Sequence, residues 1–348
     1  MIKKSYCFSG RIGKTYKAAD IEPDEYALDA ERFMSEGNWA FCRFNESDFT
    51  AARLGFERGS FNITDKPEKH NPDLLQLHLE LMTEEGAVLW VPTGKYPSSD
   101  LVSSSKAFDM SLKTNGKQIF SITGWPQMQW HFSSEDDDLD MQFNFELSTF
   151  TILPDCLLPY SVFSMWASTG SLDGIIRFKN ISRHVSGRVF LDHPRVLPNP
   201  SGGTPRSMYL YTTMFFEDGS ALFGYHAEKP AGEPIPYYCF SIFIDSLGNG
   251  TYFPKAEMKK IIYFDDSIPD SYYFIWEDEE FRIECETTIQ YDEIKYAWGS
   301  TNPPVNRRDF SILPLVLTGN AKMTGGGQTR TLKGKGLGEY FNEELWFS

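Results

Sequence analysis

Only six of the 348 residues are histidine, and one of them, His193, follows Asp192 in the run SGRVFLDHPRVLPN (186–199). An imidazole titrates near neutrality, so it is the side chain best suited to give or take a proton at physiological pH. Adjacent residues of a strand point to opposite faces, so Asp192 and His193 share one pocket only if a bulge intervenes before Pro194. His193 is therefore the first choice for a polar group in a ligand cavity. Asp192 is its orienter or an anchor of the following turn. The bland alternative is a satisfied structural histidine.

Further along, ALFGYH (221–226) ends on Tyr225 and His226, and a phenol beside an apolar substrate can donate a hydrogen bond or a proton. Strand tyrosines more often belong to a core. Tyr211, His226 and Glu339 are candidates for ligand contact, as are Trp130 and Trp166 for pocket walls, although Glu339 could equally pair with a base on an outer face. His131 precedes the acidic turn SSEDDDLD, whose spacing is not that of an EF-hand, so no metal is expected. The five cysteines show no CxxC pair and no metal-like spacing to a histidine, and read as reduced buried thiols. The GGG and GxGxG of TGNAKMTGGGQTRTLKGKGLGEYFN (318–342) lack the strand-to-helix context of a phosphate loop, so these glycines are expected to mark a bulge or a barrel corner. No cofactor is expected.

These residues must be carried by strands. LLQLHLEL (74–81) puts Leu75, Leu77, Leu79 and Leu81 on one face, LDMQFNFEL (139–147) alternates in the same way, and FRIECETTIQY (281–291) sets Phe281, Ile283, Cys285 and Ile289 against charged neighbours. Turn signals at Glu85-Gly86, Asn115-Gly116, Asp173-Gly174, Asp218-Gly219 and Gly248-Asn249-Gly250 predict consecutive hairpins. Helix is a minority element, the best stretch being residues 18–37, between Pro23 and Gly37. PRVLPNPSGGTPR (194–206) is expected to be an interdomain connection, since its four prolines and two glycines suit no central strand. On either side, WAFCRFNESDFTAARLGFERG (39–59) and YLYTTMFFEDGSALFGYHAEK (209–229) both run aromatic strand, acidic turn, apolar strand. The expected fold class is all-β, with two related halves at about 1–195 and 206–348, as barrels or sandwiches.

The formal charge of −15 argues against nucleic acid and anionic membrane, which demand clustered Lys and Arg. No run approaches the roughly 18 apolar residues of a membrane span, and MIKKSYCFSGRIGKTYKAAD has no signal-peptide core. A soluble, cytoplasmic protein is expected. Aromatics make up 15% of the chain, more than a core normally needs, and suit a pocket for an apolar ligand.

The stretch SLDGIIRFKNISRHVSGRVFLDHPRVLPN (171–199) resembles a recurrent pattern of the tandem lipocalin-like family, which contains carotenoid 1,2-hydratases (hydroxyneurosporene synthases), AttH-like proteins, kievitone-hydratase-like proteins and fungal decalin-forming Diels–Alderases. The matching residues are Asp173-Gly174, Gly187, Phe190 and Asp192-His193, then YLYTTMFFEDGSALFGYH, then Gly336, Glu339 and Tyr340 of GKGLGEYF. The resemblance implies two lipocalin-like antiparallel β-barrels packed side by side. It also implies an apolar pocket at or near their junction, and hydration, cyclisation or related chemistry on terpenoid or polyketide-derived molecules without a cofactor. It carries over Tyr225 but not His226, because hydratase members have an acidic residue after that tyrosine. Where those members often have D-H-x-W, this chain has Asp192-His193-Pro194-Arg195, so an aromatic face suited to a developing cation is missing there.

Two other readings stand beside the enzyme, a lyase or a cyclase/isomerase by type. One is a non-catalytic carrier of a hydrophobic small molecule. The other is a carbohydrate-active β-sandwich using carboxylates among Asp140, Glu146, Asp245 and Glu284.

Overall fold

A computed structural model of the chain describes residues 13–22, 28–29, 31–45, 48–59, 71–83, 88–90, 95–104, 108–134, 139–158, 161–199, 208–229, 232–235, 238–265, 268–277, 281–289, 312–325 and 327–342. Strands make up 76% of it, and among the described residues the only helical segments are single 3-10 turns at Ala18–Asp20 and Ser98–Asp100. The two sheets form a nearly closed barrel and a half-barrel, which is the expected all-β class. The chain divides into two compact units, residues 1–84 with 89–203, and 85–88 with 204–348.

Unit 1 is built from β1 (Thr15–Lys17), β2 (Ser35–Phe44), β3 (Phe49–Arg58), β4 (Leu74–Thr83), β5 (Val88–Trp90), β6 (Lys95–Pro97), β7 (Leu101–Ser103), β8 (Asp109–Thr114), β9 (Lys117–Thr123), β10 (Gln127–Ser133), β11 (Leu139–Leu147), β12 (Thr149–Ile152), β13 (Cys156–Leu157), β14 (Ser161–Phe178) and β15 (Ile181–Pro198). Unit 2 has β16 (Met208–Phe216), β17 (Ala221–Glu228), β18 (Phe240–Ile244), β19 (Gly250–Phe253), β20 (Ala256–Asp265), β21 (Ile268–Glu277), β22 (Phe281–Ile289), β23 (Ile312–Gly325) and β24 (Gln328–Asn342). The first sheet runs β5-β4-β3-β2-β15-β14-β11-β10-β9-β8-β7 and the second β19-β18-β17-β16-β24-β23-β22-β21-β20. Each is organised on one long hairpin, β14–β15 or β23–β24, flanked by a shorter one, β2–β3 or β16–β17. The two stretches matched in the sequence are these shorter hairpins.

Alternation puts the expected side chains inside. Leu75, Leu77, Leu79 and Leu81, with Leu139, Met141, Phe143, Phe145 and Leu147, lie in the core of unit 1. Ile283, Cys285 and Ile289 lie in that of unit 2, with Phe281 packed against it. Asn115-Gly116 turns with both residues at positive φ (51° and 81°), the two-residue geometry whose twist matches the strands it joins. Asp218-Gly219 and Gly248-Asn249-Gly250 are also hairpin turns.

Several expectations are corrected. Asp173-Gly174 is no turn, since it lies in the middle of β14, and the chain reverses instead at Lys179, with φ 52°. Residues 35–37 open β2 rather than close a helix. Gly37 lies mid-sheet, where the Phe56 carbonyl oxygen comes within 2.5 Å of where a Cβ would be. β15 continues through Pro194 to Pro198, so this part of the proline-rich stretch is strand, not connection. The missing N–H of Pro194 is tolerated because the pairing with β2 passes from Asp192–Trp39 to Arg195–Glu36 without engaging it. Gly334, Gly336 and Gly338 lie in an unshifted β23–β24 pairing and mark close approach, not a bulge: a Cβ on Gly336 would stand 1.8 Å from the Thr213 carbonyl oxygen, whereas Gly327, at φ 76°, sits in the turn that joins the two strands. Glu85-Gly86 and Trp298 lie outside the described residues, as do residues 200–206 of the expected connection.

A candidate site inside unit 1

Along β15, Val189 and Leu191 belong to the core of unit 1, so His193 and Arg195, in phase with them, face the interior. The same parity on β2 carries Ala40, Cys42 and Phe44 inward, and with them Glu36 and Asn38. On β3 it carries Phe56 and Arg58, and on β14 Trp166. Cross-strand pairing sets these groups in two rows. Ser164 is opposite Arg195, Arg195 opposite Glu36, and Glu36 opposite Arg58. Trp166 is opposite His193, and Asn38 opposite Phe56.

The rows are tied by polar contacts. His193 Nδ1 lies 2.8 Å from Asn38 Oδ1, and Arg195 Nε donates to His193 Nε2 at 3.1 Å. With Arg195 donating to Nε2, the imidazole proton sits on Nδ1 and is given to Asn38. Arg195 Nε is also 3.1 Å from Glu36, which accepts from Arg58 at 2.6 Å and from the Asp29 backbone N–H at 2.7 Å. Glu36, Asn38, His193 and Arg195 are all at most 2% exposed. Burial, and then the Arg195 charge, hold His193 well below its ordinary pKa, so the ring is neutral. Burial raises the Glu36 carboxyl, with Arg195 and Arg58 offsetting only part of the effect.

Aromatic rings enclose the imidazole. Trp166 stacks on it with centroids 5.2 Å apart and planes at 11°, and Phe108 meets it edge-on at 6.4 Å. Trp125 and Phe150 pack on Trp166 at 5.7 and 5.1 Å, and the Arg195 guanidinium sits 4.5 Å over Phe33. Phe108 is held at φ 56°, a costly conformation for a bulky L-residue, which surrounding packing must enforce. Asn38 Nδ2, in contrast to the Oδ1 of the same amide, has no hydrogen-bond partner although it is fully buried.

Of the sequence candidates, His193 and Trp166 come together here. Trp130 is in the same core but packs on Phe120 and Phe145. Trp125 precedes β10, so strand alternation does not separate it from Trp130, and both contribute to one core. Asp192 faces away from the core of unit 1 and is buried there; Asn38, not Asp192, orients the histidine. Tyr225 and Tyr211 lie on the face of their sheet opposite the core of unit 2, buried among Tyr209, Phe223 and Phe240. Glu339, on that face too, accepts from the Tyr209 hydroxyl at 3.1 Å. His226 points the other way, into the core of unit 2, so Tyr225 and His226 do not act together. Sequence reasoning missed Glu36, Asn38 and Arg58. The available signal was charge and amide at inward positions of a strand whose other inward residues are apolar.

Register also relates the units. Gly187 faces Phe44 in unit 1 as Gly334 faces Phe216 in unit 2. Counting equal steps from these pairs matches Asp192-His193 with Glu339-Tyr340, Asn38 with Leu210, and Phe56 with His226.

Other candidate groups are engaged elsewhere. Asp140 pairs with His131 and Arg177 at 2.7 Å each, Glu284 with Arg282 and the Tyr273 hydroxyl, and Asp245 caps its own turn. A surface groove of about 590 Å³, lined by Gln127, Gln129, Asn144, Glu146 and Asp173 among others, has Phe145 as its single aromatic lining residue, fewer than an apolar pocket of the expected kind would show. The described cysteines are buried free thiols. No helix among the described residues is long and apolar enough to cross a membrane.

No family model matches the chain, and no curated protein matches its sequence. Among solved structures the chain is similar to an AttH-like protein from Nitrosomonas europaea, with a TM-score of 0.61 and 13% identity over 91% of this chain and 95% of that one. It is also similar to kievitone hydratase from Nectria haematococca, with a TM-score of 0.58 and 7% identity over 95% of this chain and 97% of that one. The all-β fold implied by the resemblance is thus shared with these structures, as one nearly closed barrel and one half-barrel.

Proposed function

We propose that this protein is a cofactor-independent enzyme acting on a hydrophobic isoprenoid or polyketide-derived small molecule, by hydration, cyclisation or isomerisation, in the aromatic interior of unit 1. The chain is read as two lipocalin-like domains, about 1–195 and 206–348, in a cytoplasmic protein whose thiols stay reduced. The observation that carries the reading is the buried chain Asn38–His193–Arg195–Glu36 set among Trp166, Phe108 and Trp125. The fold it shares with a hydratase supports it.

Both nitrogens of His193 are occupied, so its part is to position rather than to transfer a proton. It fixes the Asn38 amide, whose buried Nδ2 is left to donate to a substrate oxygen. A hydrogen bond from a preorganised donor in a dry, low-dielectric site stabilises charge that develops on a carbonyl or hydroxyl far better than water does. Glu36, held between the Arg195 and Arg58 guanidinium groups, anchors the far end of this polar chain.

The occupied histidine also favours a second reading, a carrier that binds the same ligands without turnover. A panel of unsaturated terpenoids and polyketides, assayed for both binding and conversion, separates the two. Conversion abolished by Asn38→Leu and reduced by His193→Gln supports the enzyme. Binding with no conversion supports the carrier. If Asn38→Leu converts substrate at the wild-type rate, the site is wrong.

A further inference from the structure

The core of unit 2 contains a polar cluster that the proposed reaction does not use. On β17, Leu222 faces the core, and Gly224 and His226 share its parity. Gly224 pairs with Thr212 on one side and Ser241 on the other. The Trp276 indole lies over Gly224, since a Cβ there would come within 2.9 Å of its ring. Phe274 stacks on Trp276 at 5.1 Å and stands 6.0 Å from the His226 ring. Tyr272, whose hydroxyl lies 2.9 Å from Thr212 Oγ1, completes the wall.

Three side-chain atoms in this cluster have no hydrogen-bond partner in the protein: His226 Nδ1, Ser241 Oγ and Trp276 Nε1. Their residues are at most 2% exposed. Buried polar atoms are almost always satisfied, so a group of three around one glycine implies an occupant that supplies acceptors. Glu228 accepts from His226 Nε2 at 3.0 Å, which fixes the ring and leaves Nδ1 as the inward atom. Burial alone would lower the pKa of this histidine, but the neighbouring Cys239 and the Glu228 carboxylate outweigh it and push it up to about 9, so Nδ1 carries a proton. Two N–H donors and a hydroxyl facing aromatic walls match a flat molecule that ends in a carboxylate.

We infer that the interior of unit 2 is a second ligand site, in which His226, Trp276 and Ser241 receive the carboxylate of a small aromatic acid whose ring packs on Phe274 and Tyr272. It is separate from the site in unit 1, so either reading can fail without the other.

Benzoate is the probe. Titrated into the full-length protein and followed by calorimetry, it is expected to bind wild type, with affinity reduced at least tenfold in Trp276→Phe and in His226→Gln. Cys239 adjoins His226, so benzoate is also expected to slow alkylation of Cys239 by iodoacetamide, resolved by mass spectrometry, and to leave Cys156 unaffected. Because His226→Gln breaks an ion pair and can unfold the unit, Ser241→Ala serves as the mild variant, with folding checked by circular dichroism. Absence of benzoate binding to wild type, equal affinity in folded Trp276→Phe and Ser241→Ala, or no protection of Cys239 would each overturn the inference and leave water as the occupant.

Discussion

His193 lies flat on Trp166, with centroids 5.2 Å apart and planes inclined by 11°, as the two partners of one cross-strand pair between β15 and β14. The stack closes one side of the imidazole while Asn38 and Arg195 take its two nitrogens. A histidine so held is rigid, neutral and oriented, which suits a residue that positions its neighbours.

Replacing His193 with Leu keeps the ring's approximate bulk but strands the Asn38 amide oxygen and one Arg195 donor in a buried setting. A destabilisation of about 2–4 kcal/mol is expected, measured by urea unfolding. His193→Gln, which can keep one of the two hydrogen bonds, should lose less. Equal losses in the two variants would show that packing on Trp166, not the polar chain, dominates.

Glu36 holds two guanidinium groups inside the barrel. Glu36→Leu leaves both charges buried without their carboxylate and is expected to cost about 3–5 kcal/mol. The triple variant Glu36→Leu, Arg58→Leu, Arg195→Met, which removes charge and partner together, should recover most of that loss. Unfolding midpoints of the two proteins test it. A triple variant no more stable than the single one would show that the network is needed for the fold itself.

Two buried histidines act oppositely on the pH dependence of stability. His226 has a folded pKa of about 9, above the ordinary value of 6.5, so it contributes stability that is complete below 6.5 and is lost as pH rises through 9. The span corresponds to roughly 3 kcal/mol. His193 is depressed below 6.5, so its contribution is present above 6.5 and is lost as pH falls toward its folded value. Thermal melts across pH should therefore peak near pH 6.5, where the His193 contribution is complete and the His226 contribution has not yet begun to fall. In His226→Gln the alkaline decline should flatten, and in His193→Gln the acid one.

Gly336 has no room for a side chain: an added Cβ would meet the Thr213 carbonyl oxygen at 1.8 Å and Met214 Sδ at 2.8 Å. Gly336→Ala is expected to force β24 and β16 apart and to cost more than about 2 kcal/mol, within the range of overpacking. Gly116→Ala, with nothing within 4 Å but a φ of 81°, should cost less. A thermal shift of the same size for both would deny the close approach.

Much of the fold was legible because strand alternation is a local property. The leucines of 74–81 and the apolar set of 139–147 announced their inward faces, and Asn115-Gly116 announced its turn by the φ that it needs. Asp173-Gly174 misled because the same dipeptide suits a turn or a mid-strand position, where a Cβ on Gly174 would meet the Gln142 carbonyl oxygen at 2.4 Å. The 18–37 stretch misled because a proline and a glycine at helical spacing carry no information about the strand partner that makes Gly37 useful.

The site divides in the same way. Sequence by itself determined that the chain is β throughout, and that Asp192 and His193 take opposite faces unless a bulge intervenes, since both follow from period-two geometry along one segment. Only tertiary structure decided what His193 does. Its partner Asn38, and Glu36, which holds its other partner Arg195, come from a strand about 150 residues away, brought beside β15 by sheet order. Burial then sets its charge state, and burial is a property of the assembled barrel that no local spacing encodes.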